Sequence, residues 1–213
     1  MKEVLFNTHD VALLITIYQC LLFAIFLITL KKGKKLSNIL LAGFLICNAA
    51  IPLDTLINFG AAFRTFAIDL SPNLFYIFGT GYWLESVFLL FYIRSLIYKD
   101  FKFRKTDALY LVPFLYFITF EYSNWLFADP QAKLDFLNGY VLAEQPPYTY
   151  AVNLFRECFR EFCGIMCLIE LRHYQKQIKN NSIKKIFTTF SSPKNHPQKS
   201  HFPSPNILEN WIH

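Results

Sequence analysis

The residues of this chain best placed to do chemistry are charges inside apolar stretches: Asp54, Glu85, Arg156, Glu157, Arg160 and Glu161. An ionisable side chain at membrane depth is costly, so it faces a partner or a water-filled cavity. At about 100° per residue, the four on the last stretch fall within about 140° of a helix circumference. They are expected to form one polar stripe facing the rest of a helix bundle. Two readings stay open: a buried ion-pair network that fixes helix register, or a polar pocket, open to the outer face, that receives a small ligand. Counting about 1.5 Å per residue from the outer helix ends puts Glu85 and Arg160 both roughly 18 Å deep. These two are expected to pair, with Asp54 or a neighbouring polar group meeting Arg156.

Signals for catalysis are missing. There is no glycine-rich phosphate loop and no His-Glu-x-x-His. Ser86 and Ser95 share no apolar segment with a histidine, and His9, His173, His196, His201 and His213 lie towards the chain ends. His9 beside Asp10 reads as an exposed N-terminal feature. The five cysteines all sit in apolar segments; Cys163 and Cys167 share a helix face but have no nearby histidine, a poor zinc pattern. We expect no metal site, no cofactor and no enzymatic activity.

The elements that must position these charges are long and apolar. Of 213 residues 54% are hydrophobic and 17% charged, against about a quarter charged in soluble domains. Val11 to Leu30 carries no charge and is closed by Lys31, Lys32, Lys34 and Lys35. About twenty helical residues cross a hydrocarbon core, and the lack of a cationic leader or small-residue cleavage site makes this an anchor rather than a signal peptide. Further spans are expected over 36–59, 73–98, 108–127 and 148–171. Pro52 is expected to bend the second, and Gly79 and Gly81 to admit a close neighbour to the third. The fifth is the least apolar.

Sixteen of the 21 lysines and arginines fall after the first span, in the connector from Arg94 to Lys105, or in the tail; only Lys2, Arg64 and Lys133 fall on the other side. That bias predicts an N-terminus outside and a C-terminus in the cytoplasm. The fold class expected is therefore all-α: a polytopic membrane bundle of about five transmembrane helices, in the bacterial inner membrane. Its parts are a short outer N-terminus (1–10), a sensor-like bundle (11–180) and a disordered basic tail rich in Pro, Ser and Lys (181–213).

The stretch from Tyr82 to Phe120, Trp-Leu-Glu-Ser then Phe-Tyr-Ile-Arg-Ser-Leu, a Lys-Asp-Phe-Lys-Phe-Arg-Lys connector and Asp107-Ala-Leu-Tyr-Leu-Val-Pro-Phe, resembles the membrane-embedded N-terminal half of AraC-type transcription regulators. Lys31–Leu41 and the basic run from Leu171 fit the same segment order, and the likeness covers about residues 10 to 180. In that family a multi-pass sensor precedes a cytoplasmic helix-turn-helix domain. The resemblance implies a signal-sensing membrane module whose partners are the bilayer, a small-molecule signal and a second copy of itself. From about Ser182 the composition departs, with Pro193, Pro197, Pro203 and Pro205 among Ser, Asn and Lys. The expectation is a truncated or frameshifted relative that does not itself bind DNA and whose basic tail meets anionic lipid. The alternatives are a small transporter or channel subunit built around the Glu85 and Arg160 layer, or a membrane scaffold.

Overall fold

The computed structural model describes residues 7–30, 33–98, 100–139 and 147–191, of which 181–191 are described as backbone only. The described residues are helical, without strands. Three segments are long and apolar enough to cross a membrane: α1 (Thr8–Thr29), α2 (Lys35–Phe59) and the run Pro72–Ile97, which ends in α4 (Thr80–Ile97). Lipid tails offer no hydrophobic contrast to an apolar helix, so packing rests on close van der Waals fit. That fit is close between α2 and α4. A Cβ on Gly81 would stand 2.9 Å from the Cys47 carbonyl and 3.1 Å from the Ala50 Cβ, and one on Gly43 would strike the Phe88 ring. The expectation that Gly81 lets a neighbour come close is met. α1 buries only Asp10 and Ala24 and presents Tyr18, Phe23 and Ile25 outward, as a lipid-facing helix would.

The third span does not begin as one helix at residue 73. Two 3-10 turns, Pro72–Leu74 and Ile77–Gly79, precede α4, with Tyr76 between them in the left-handed region at φ 69°. Pro72 cannot continue the preceding helix α3 (Ala61–Leu70), and the Ser71 hydroxyl caps the new turn by accepting from Asn73 N–H at 3.2 Å. α2, by contrast, stays helical through Pro52.

The expected fourth span is a helical run of changing pitch: a 3-10 turn (Lys105–Leu111), α5 (Val112–Tyr116), a π turn (Phe117–Tyr122) and α6 (Ser123–Phe127). Thr119, Ser123 and Asn124 each donate a side-chain hydrogen bond to a carbonyl three or four residues back. Such back-bonding competes with the α-helical ladder, and a π turn is where a ladder slips. The run still covers the length of α4. At one end Asp107 lies 3.1 Å from Arg94; at the other the Trp125 indole donates to the Pro72 carbonyl at 3.1 Å.

α7 (Pro130–Gly139) lies between the fourth and fifth expected spans and docks on α3 and the Pro72–Leu74 turn. Ile57, Ala67, Phe75 and Leu137 form a small core there. Arg64 donates to the Asn58 and Leu137 carbonyls, and buried Lys133 gives its ammonium to Asn73 Oδ1 at 2.8 Å and the Leu126 carbonyl at 2.9 Å. Two cations counted as free topology markers are thus structural ties. α8 (Pro147–Ser191) continues 11 residues past the boundary expected at 180, so the helix, not the tail, carries residues 181–191. The remaining tail, including the four prolines, lies outside the described residues.

Candidate functional site

Two charge clusters join α4 to α8. In the first, Arg160 donates to Glu85 at 2.8 Å and to Glu157 at 2.9 Å. Glu157 also takes Arg156 at 3.1 Å, and the Arg156 guanidinium lies over the Tyr82 ring, 4.3 Å from its centroid. The expected Glu85–Arg160 pair is present. Both partners are partly buried, at 17% and 32% side-chain exposure, so the attraction is little screened.

The rest of the polar stripe does not face the bundle as expected. The Glu157 side chain is 48% exposed, and Glu161 is exposed and has no ion pair among the described residues. Residues 157 and 161 lie at the edge of an arc whose inner side is taken by Arg160, Cys163 and Cys167, and the two cysteines are buried. With small side chains filling that inner face, the carboxylates turn outward. Asp54 is half-buried and makes no ion pair within 4.0 Å among the described residues; Arg156, its expected partner, acts on it electrostatically from beyond that distance while making its direct contacts with Glu157 and Tyr82.

The second cluster lies at the cationic end and was not foreseen. Arg94 donates from Nε to Glu170 at 3.0 Å and from Nη1 to Asp107 at 3.1 Å, and its guanidinium lies 5.4 Å from the Tyr110 centroid. The Tyr98 hydroxyl donates to the second Glu170 oxygen at 2.8 Å. That hydrogen bond, helped by partial burial, pushes the Tyr98 phenol above its ordinary pKa. Asp107 Oδ2 accepts from Arg104 N–H at 2.8 Å, capping the 3-10 turn that follows. Nearby, Lys34 reaches the Ser95 carbonyl at 3.2 Å, and Ser95 donates to Ser37 at 3.0 Å.

The segment after α4 makes this cluster possible. Phe101-Lys102-Phe103-Arg104 alternates apolar and cationic residues, the period of an extended strand-like chain. Phe103 packs edge-on against Phe91 of α4 and against Phe101, each at 5.3 Å. The connector therefore folds back instead of trailing into solvent. Together with α4 and α8 it encloses a half-open cavity of about 880 Å³. Its wall combines Arg94, Asp107 and Glu170 with Tyr110, Phe159 and Phe162. The volume lies within the range of small-molecule sites, about 300–1,000 Å³. The signal that could have located it is the Phe-Lys-Phe-Arg alternation, which a purely solvated turn has no reason to carry.

The two clusters run in step. From Glu85 to Arg94 is 9 residues and from Arg160 to Glu170 is 10, so α4 and α8 are parallel over about 14 Å. A parallel pair needs a return passage between them, and the run from Lys105 to Phe127 supplies it. No family model, curated protein or solved structure matches this chain.

Proposed function

We propose that this chain is the ligand-sensing module of a membrane protein, akin to the membrane half of AraC-type transcription regulators. The observation that carries the reading is the continuity of α8. One helix holds Arg160 against Glu85, forms a wall of the cavity through Phe159, Phe162 and Glu170, and continues to Ser191. From Glu170 to Ser191 it extends about 32 Å. A ligand that alters the cavity wall displaces the far end of the same rigid element, a coupling a sensor requires.

In this reading the chain crosses the bacterial inner membrane five times, with its N-terminus outside and the cationic end in the cytoplasm. Parallel α4 and α8 with a returning run between them support that count, as does the charge bias. The ion pairs lock helices together rather than line a path, which favours a sensor over a transporter. Exposed Glu161 in the fifth crossing is costly against lipid, and a second copy of the chain is the partner that relieves it. Reconstituted protein should show thermal stabilisation by its ligand without solute flux into vesicles. Flux that follows the ligand gradient would make the chain a transporter.

A further inference from the structure

The cavity at the cationic end has a wall and a rim of different character. Its interior charges satisfy one another: Arg94 is held by Asp107 and Glu170, and Glu170 also by Tyr98. They leave no strong group free for a ligand. The free groups stand at the rim. Lys102 and Arg104 line the cavity, are exposed, and make no ion pair among the described residues. Lys105, next along the chain, is likewise exposed and has none. Against these three cations stands a single exposed carboxylate without a salt bridge, Asp100.

The remaining lining is apolar and open on one side. Phe103 is 54% exposed, Phe162 50% and Leu109 73%. Phe162 and Leu109 belong to α8 and to the returning run, so in the five-crossing reading proposed above the opening faces hydrocarbon. A water-soluble ligand would gain nothing from that flank. The structure thus presents three exposed cations without ion pairs among the described residues, beside an apolar opening of the cavity.

We propose that the cavity takes one anionic phospholipid from the surrounding leaflet. Its phosphate sits against Lys102 and Arg104, and its acyl chain lies along Phe103, Phe162 and Leu109. Basic pockets between membrane helices at the cytoplasmic surface recognise such headgroups through charge and hydrogen bonding. This inference rests on the cavity being the ligand site of the sensor proposed above, and names the class of ligand. It makes the bilayer's own composition the quantity that α8 reports.

The test uses full-length protein in nanodiscs made of equal parts phosphatidylethanolamine and phosphatidylglycerol. Lipid retained after detergent extraction is counted by native mass spectrometry. The expected result is selective retention of one phosphatidylglycerol, reduced on the order of tenfold in the Lys102→Gln/Arg104→Gln variant. A control variant, Lys176→Gln/Lys179→Gln, alters exposed cations on α8 that do not line the cavity and should retain the lipid. Equal retention of the two lipids, or equal loss in both variants, would overturn the proposal, since either outcome means surface attraction only. Stabilisation by inorganic phosphate alone to the same extent as by phosphatidylglycerol would also overturn it, assigning the rim to a free anion.

A further variant separates this inference from the sensor reading. Phe159→Trp changes the α8 wall of the cavity, and a spin label on Lys176→Cys reports the position of α8. A changed spectrum in this variant, together with unselective lipid retention by the unaltered protein, leaves the sensor standing and removes the lipid. An unchanged spectrum removes the sensor reading itself.

Discussion

Glu85 and Arg160 meet across one helix–helix contact, whereas Arg94, at the far end of the same α4 helix, gathers carboxylates from two further segments. The first cluster is redundant: Arg160 keeps Glu157 on its own helix whatever happens to Glu85. The second is not. Arg94, Asp107 and Glu170 have side-chain exposures of 15%, 9% and 17%, and among the described residues Arg94 is the only cation that ion-pairs with both acids. A local pair fixes register between two helices; a shared hub holds α4, the connector and α8 in one arrangement. In the proposed sensor, the hub is the place where a change in the neighbouring cavity would be felt by α8.

The largest effect expected from this contrast is at Arg94. Arg94→Leu leaves buried Asp107 and half-buried Glu170 without their cation, a loss of about 3 kcal/mol. Denaturation of the purified protein in mixed micelles should show it as a large fall in the unfolding midpoint. Adding Asp107→Asn should recover part of the loss, because one stranded charge is removed. If Arg94→Leu costs no more than Glu85→Gln, the two clusters do not differ in the way described.

A smaller effect is expected at the first cluster. The double-mutant cycle of Glu85→Gln and Arg160→Gln should give a coupling of about 1 kcal/mol, in line with polar contacts between membrane helices. Exchanging the two residues should recover expression relative to either single reversal. Additive losses with no coupling would mean that the 2.8 Å contact contributes nothing.

How far these clusters could be read in the sequence follows from where their members lie. Glu85 and Arg160 stand alone in apolar runs, so their depth and pairing could be counted out along two helices. Arg94 and Asp107 flank a basic connector, where charges ordinarily meet water, and nothing in their spacing shows that Phe101 and Phe103 fold that connector back. Glu170 lies at the expected end of the fifth span, where a charge ordinarily meets water as well. The all-helical class and the first two spans were legible because apolar runs of that length have few alternatives. α3, α7 and the turns around Tyr76 were not, because short helices that cap a bundle depend on tertiary ties such as those of Arg64 and Lys133 rather than on periodicity.

The smallest effect concerns Tyr98, which is 39% exposed. Tyr98→Phe should cost less than about 1 kcal/mol, since a single hydrogen bond to a partly hydrated carboxylate is lost. Because Glu170 raises the phenol's pKa, its contribution is fully present below the ordinary tyrosine value, about 10. It disappears as pH rises through the raised one. The stability difference between wild type and Tyr98→Phe should therefore close only in strong alkali; a difference that closes near neutral pH would point to another group.

The central claim is that the chain passes back and forth through a bilayer with its cationic hinges on one side. Single cysteines at Lys102, Gln131 and Lys176, treated with a membrane-impermeant thiol reagent in oriented vesicles, test it most directly. The account predicts that positions 102 and 176 react from one face and position 131 from the other. If 102 and 131 react from the same face, the run from Lys105 to Phe127 does not cross, and the five-passage arrangement is wrong.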